Sequence, residues 1–296
     1  MATLNLDYYR GPDAYSEGAV EDELLALVQQ HQDFASVLAR DQRWSILYHL
    51  SPARRALLDW YPMEPNADLL EIGAGCGALT GLFCEKAARV TAVELSEKRS
   101  RIIYHRYEQV PHLEVVAGNM MDIPFERAFD YITLIGVMEY ARSFIRSPDP
   151  CQALLRHLAS ALKPAGQLII AVENRYGIKY FAGAAEEHTG RLFDGIEGYP
   201  IEVGIETFSK DELSRGLESA GLTDCRWYYP YPDYKFPAEI FSDRHLPGIN
   251  HKFHNAPNYD QDRFQLFSEK LALRSLVRNQ RFDFFSNAFL VSAAKG

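Results

Sequence analysis

The stretch LLEIGAGCGALTGLF, residues 69–83, constrains this 296-residue chain more than any other. An apolar run precedes Glu71, three glycines follow at Gly73, Gly75 and Gly77, and a helix-forming run comes after them. Such a pattern places a glycine turn where a buried strand becomes a helix. Glycines there accept positive φ and let the backbone approach a ligand that side chains would exclude. The segment is therefore expected to cradle a nucleotide-shaped molecule.

Two readings of that molecule compete. Gly73, Gly75 and Ala78 satisfy the loose GxGxxG/A dinucleotide fingerprint, in which a pyrophosphate sits on a helix N-terminus. Glu71 argues against it, because a carboxylate at that point repels a pyrophosphate and attracts a cation. With Glu71-Ile72-Gly73-Ala74-Gly75-Cys76-Gly77 the chain resembles the class I S-adenosylmethionine-dependent methyltransferases, whose first motif is E/DxGxGxG and whose cofactor carries a sulfonium and an ammonium.

Further segments follow in that family's order. RVTAVELS (89–96) ends in Glu94, suited to accept both ribose hydroxyls. LEVVAGN (113–119) leads into NMMDIPF, similar to the family's GDAxDLPF, with Asn119 in place of the usual Asp; its oxygen still accepts a hydrogen bond. FDYITLIGVMEY (129–140) resembles the fourth strand and its loop, and LKPAGQLIIAVEN (162–174) the turn into the fifth. The resemblance covers about residues 65–175 and implies an α/β fold: a Rossmann-like, seven-stranded, mostly parallel sheet with an antiparallel last strand and helices on both faces. It implies S-adenosylmethionine as cofactor, held by Glu71, Gly73, Ala74, Gly75, Gly77, Glu94, Leu95, Asn119, Met120, Ile135 and Gly136.

Around that core the chain carries two kinds of addition. Residues 1–62 form an N-terminal helical arm, with helices expected at about 17–39 and 41–59 and tyrosines Tyr8, Tyr9 and Tyr15 placed to cap the site as a lid or to anchor the arm. Residues 63–296 form the core, with insertions at about 173–200 and 233–281 after the fifth and sixth strands. The first insertion is rich in glycine, aromatics and charge, and loops this long are usually functional or disordered. Ser209 and Glu212 have capping-box spacing at a following helix.

Methyl transfer needs an acceptor held in line with the methyl, and a hydroxyl acceptor gains from a nearby base. His188 is the first candidate, then Glu139 and Asn174; Tyr140, Arg175, Tyr176, Tyr180 and Arg191 are the expected substrate contacts. His188 also reads as a loop histidine bonded to Glu186 or Glu187, and Arg191 as a partner of Asp194. Asp243, His245, His251 and His254 lie close in sequence, but Pro247 and Gly248 interrupt them and carboxylates are sparse, so no metal is expected.

Composition sets the outer bounds. A net charge of −9 argues against nucleic-acid partners. The longest apolar runs are too short to span a bilayer and the acidic N-terminus lacks a leader's features, so a cytoplasmic protein with no membrane partner is expected. Four dispersed cysteines suggest neither a disulfide scaffold nor a zinc cluster. The expected activity is methylation of an O or N acceptor on a small polar metabolite or glycan precursor in a bacterial biosynthetic pathway, by a monomer or homodimer. A peptide-modifying methyltransferase, an NAD-dependent oxidoreductase and a non-catalytic cofactor-binding scaffold stay open as alternatives.

Overall fold

A computed structural model describes residues 1–11, 16–125, 128–201, 204–255 and 262–296. Tyr15 therefore lies outside the described residues. The chain forms two compact units, one of residues 1–134 with 160–168, the other of residues 135–159 with 169–296.

In the first unit the strands are β1 (Thr3–Asn5), β2 (Asp68–Ile72), β3 (Arg89–Glu94), β4 (Leu113–Ala117), β5 (Phe129–Ile135) and the first half of β6 (Leu162–Glu173), in the order β1-β4-β3-β2-β5-β6. The pairs β1/β4, β4/β3, β3/β2 and β2/β5 are parallel. Every residue of β2 is buried, as expected for a parallel strand covered on both faces. The second half of β6 begins the second unit, where β9 (Ala288–Lys295), β7 (Leu222–Tyr231) and β8 (Glu239–Ser242) follow it in that order. The β9/β7 and β7/β8 pairs are antiparallel.

The architecture is the expected mostly parallel sheet with antiparallel C-terminal strands, but it has nine strands where seven are expected. The two extra ones are short edge strands. β1 comes from the arm and pairs with β4; β8 comes from the second insertion and pairs with β7. Neither carries a long apolar run, which is why the sequence pattern does not announce them.

The arm is more divided than its periodicity predicts. Helix Ala19–Gln29 stops before His31, at φ 51°, and Asp33 caps a new helix, Phe34–Arg40, by accepting the Ser36 N–H at 3.1 Å. Helix Trp44–Leu50 ends before Pro52, which has no N–H to continue it, and Ser51 caps a 3-10 turn over Pro52–Leu57. Leu24, Val28, Val37, Ile46 and Leu50 form one buried cluster with Ile102 and with Cys76 of the glycine loop. In the second unit the capping box at Ser209 and Glu212 is present and starts helix Lys210–Ser219.

Candidate functional site

The glycine loop leaves β2 under tight backbone control. The Gly73 and Ala74 N–H groups both donate to the Val93 carbonyl, at 2.9 and 3.1 Å, and Gly73, Gly75 and Gly77 have φ of +69°, +57° and +79°. These are left-handed conformations that glycine adopts without strain. Gly75 and Gly77 need glycine for different reasons. A side chain on Gly75 would meet nothing within 4 Å, so the space above it is open. One on Gly77 would lie 3.0 Å from the Tyr107 ring, whose hydroxyl donates to the Gly77 carbonyl at 2.7 Å.

Beside the open position stands Glu94, the last residue of β3. One of its oxygens accepts the Gly75 N–H at 2.8 Å and the other the Ser96 N–H at 3.0 Å. A carboxylate has about four acceptor positions, so each oxygen retains capacity for a hydroxyl. Burial holds its pKa above the usual range despite the Arg99 charge and the backbone donors. Glu71 sits deeper. Its carboxyl accepts the Thr80 hydroxyl at 2.6 Å, and burial pushes its pKa up to about 8. Glu71 thus fixes the start of the following helix through Thr80. Cys76 is buried and its thiol is pushed up to about 12 by that burial, which suits a loop filler and not a nucleophile.

Asn119 caps the short turn Met120–Asp122 by accepting the Met121 N–H at 3.0 Å, while Leu95 and Met120 are half-buried. A side chain on Gly118 would lie 2.7 Å from the Tyr8 carbonyl oxygen, so the arm backbone runs directly against this turn. The open space over Gly75 and the spare acceptor capacity of the Glu94 carboxyl fit S-adenosylmethionine.

The second unit holds a different assembly. Glu139, beyond the end of β5, and Glu173, at the end of β6, are fully buried. Lys235 bonds Glu173, and Lys179 bonds Glu187 and, at 2.8 Å, Asp233. Burial alone would raise Glu173, but the charges of Lys235 and Lys179 outweigh it and hold that carboxyl below its usual range. Burial and the neighbouring Glu173 charge push Glu139 well above the range, so it holds a proton. With Glu139 ionised, neither of its oxygens would have a donor among the described residues. Beside this cluster His188 Nδ1 bonds the buried Glu186 carboxylate at 2.6 Å. Glu186 also accepts the His188 and Thr189 N–H groups at 3.0 and 2.8 Å, which fixes it in place. The His188 ring meets Tyr140 edge to face at 5.2 Å and its side chain is 11% exposed. Burial would lower the imidazole pKa, but the Glu186 bond and nearby carboxylates raise it above the ordinary value.

The remaining expected contacts are engaged internally. The Asn174 amide donates to the Phe284 and Ser286 carbonyls, both at 2.7 Å, and its oxygen accepts the Tyr176 N–H at 3.0 Å. Arg175 bonds the Thr207 carbonyl and Glu212, Tyr176 stacks on Phe284, Tyr180 donates to Glu187 at 2.5 Å, and Arg191 pairs with Asp194 at 2.7 Å. Gly136, at φ +67°, lies under the Tyr234 hydroxyl, which would stand 2.6 Å from a side chain there; Ile135, just before it, is half-buried.

A family model described as a methyltransferase domain matches residues 42–225, more than half of the chain. The chain belongs to that methyltransferase family. It is an S-adenosylmethionine-dependent methyltransferase. Among curated relatives it is similar to a ubiquinone biosynthesis O-methyltransferase of Xanthomonas axonopodis pv. citri, 28% identical over 60% of this chain and 71% of that one. Another of the same name from Chromobacterium violaceum is 24% identical over 62% and 76%. Among solved structures, phosphoethanolamine N-methyltransferase 2 of Haemonchus contortus, in complex with phosphomonomethylethanolamine and S-adenosylhomocysteine, matches with TM-score 0.51 at 15% identity, over 96% of this chain and 61% of that one. At that identity it attests the fold alone.

Within this methyltransferase the histidine-rich segment around Asp243 does not converge. Asp243 takes Lys210 and Tyr229, and His251 takes Glu239 at 2.9 Å. Among the described residues a different group, Glu173, Glu187 and Asp233, brings ligand atoms within 4.8 Å of one another. Lys179 and Lys235 reach all three of its carboxylates. Lys179 and Lys235 were not singled out by sequence reasoning, nor was Glu173. The signal was available in the charges set among aromatics in GIKYF and PDYKFP.

Proposed function

We propose that this methyltransferase methylates a hydroxyl of a small polar metabolite or glycan precursor, with His188 taking the hydroxyl proton. S-adenosylmethionine supplies an electrophilic methyl on a positively charged sulfur. Glu94 and the glycine loop would hold the cofactor, which would give up its methyl and leave as a neutral thioether, and His188 Nε2 would take the proton that the acceptor hydroxyl loses. The observation that carries this reading is the Glu186–His188 pair: Nδ1 is committed at 2.6 Å to a buried carboxylate, which leaves Nε2 as the nitrogen for the proton. Glu186 fixes the tautomer and stabilises the imidazolium that forms. Tyr140, packed on the imidazole edge, shapes the approach to it.

Glu139 and Asn174 act here as positioning residues. Glu139 has no solvent-facing surface and shares a proton environment with Glu173; Asn174 spends all its hydrogen bonds on the chain segments at 176 and 284–286. O-methyl transfer is also the activity named in the Xanthomonas and Chromobacterium relatives.

The test incubates the enzyme and S-adenosylmethionine with a panel of phenols, sugars and amines, with product masses and NMR assigning the methylated atom. The expected product is a methyl ether, and His188→Ala should lower kcat by about 10² to 10⁴ with little change in acceptor KM. Because the base must be unprotonated, the rate should rise with pH through the raised His188 pKa, and Glu186→Gln should move that rise to lower pH. An N-methyl product, or an undiminished His188→Ala enzyme, contradicts the proposal.

A further inference from the structure

The second unit also carries an exposed face on a late helix and on the segment before it. Helix Glu269–Arg278 buries Glu269 and Leu273 and exposes Lys270, Leu271, Arg274, Ser275 and Arg278. At 3.6 residues per turn these five share one arc of roughly 140°. Lys270, Arg274 and Arg278 stand four residues apart along it, and among the described residues none of them pairs with an acid. Glu269, the acid nearest Lys270 and Arg274 in sequence, is buried and bound to Arg263, and Asp283 follows five residues beyond Arg278.

Directly before this helix the chain exposes large apolar side chains. Phe264 is 83% exposed, Leu266 54% and Phe267 38%, and Leu271 on the helix is 57% exposed. Among the described residues, four of the eleven large exposed apolar side chains thus fall within eight positions, a concentration that marks a contact surface more than random exposure does. The segment is held in place: the Leu266 N–H donates to the Ala182 carbonyl at 3.0 Å, and Gly183 has no side chain where the Phe264 carbonyl passes.

We propose that this face docks the enzyme on an anionic lipid surface, with Phe264, Leu266, Phe267 and Leu271 entering the interfacial layer and Lys270, Arg274 and Arg278 lying against headgroup phosphates. The charge pattern selects this occupant. A ladder of unpaired cations on a chain of net charge −9 gives an anionic partner one favourable face, and adjoining aromatics match an interface that is apolar below its charged layer. No described helix is long and apolar enough to cross a membrane, so the contact is peripheral. It revises the expectation of no membrane partner, which rested on the absence of a spanning run. The inference does not depend on the methyl acceptor or on His188.

The test is co-sedimentation of the full chain with phosphatidylcholine vesicles, with and without roughly 30 mol% phosphatidylglycerol. Binding should be at least about 10-fold stronger to the anionic vesicles and should be lost at high salt. The triple variant Lys270→Glu, Arg274→Glu, Arg278→Glu should lose it while keeping wild-type thermal stability and S-adenosylhomocysteine binding. Phe264→Ser with Phe267→Ser should weaken it several-fold at unchanged net charge. Equal binding to both vesicle types, or a triple variant that still binds, overturns the proposal. So does a wild-type dimer in light scattering that Phe264→Ser converts to a monomer, since the face would then belong to a second copy.

Discussion

The glycine loop of the first unit and the carboxylate–lysine cluster of the second hold their acids in opposite ways. Around the loop, Glu94 is fixed by two backbone N–H groups and keeps acceptor capacity beside the open space over Gly75. In the cluster, Glu173, Glu187 and Asp233 are paired with Lys179 and Lys235 from the same chain, three acids to two ammoniums. The first arrangement is built to receive something. The second is held by pairs within the chain, and the His188 ring lies beside it against Tyr140.

That contrast can be broken most forcefully at Lys235. Its ammonium is buried and held well above its usual pKa, against the effect of burial, by Asp233 and Glu173. Lys235→Met leaves the fully buried Glu173 short of a cation, and breaking one side of a buried pair costs about 3–5 kcal/mol. Urea unfolding at neutral pH should show a loss of that size. A loss under about 1 kcal/mol would mean that the cluster is solvated and that its acids are as available as Glu94.

A smaller effect sharpens the other side. Glu71 has a folded pKa of about 8, above its ordinary 4.5, so the folded state holds a proton that the unfolded state has released. The stability this confers is complete below about pH 4.5 and declines as pH rises through about 8. Glu71→Gln keeps an acceptor for Thr80 and removes the titration. Its stability relative to wild type should therefore rise by about 1–4 kcal/mol between about pH 5 and pH 8. A constant difference across that range would place Glu71 in a more polar setting.

The same two regions explain what could be read from the sequence. The loop's determinants lie within residues 71–94 and consist of glycines and acids whose backbone demands are local, so the glycine turn is legible in the sequence and the resemblance to the methyltransferase motif assigns its ligand. The mostly parallel sheet came with the same resemblance, and the apolar run of β2 and the β-branched run of β3 agree with it. The edge strands β1 and β8 were not, since pairing with a neighbour decides a three- or four-residue strand. The cluster was legible only in fragments, because Glu139, Glu173, Lys179, Glu187, Asp233 and Lys235 meet through tertiary packing across nearly a hundred positions. His188 stood out as a titratable group in a long loop, with a bond to Glu186 or Glu187 as the competing reading, and the structure has the Glu186 bond. What spacing cannot tell is that Arg175 and Tyr176 are bound to the chain's own groups, whereas the Arg191–Asp194 pair was already one of the two readings of Arg191.

The central claim is that the two regions divide the work, Glu94 serving the cofactor and His188 the acceptor. Calorimetric titration of S-adenosylhomocysteine into Glu94→Ala and His188→Ala tests it most directly. Charged hydrogen bonds of about 1.5–3 kcal/mol predict roughly 10- to 150-fold weaker binding in Glu94→Ala. His188→Ala should bind within about twofold of wild type. Unchanged affinity in Glu94→Ala, or an equal loss in both variants, would contradict the division.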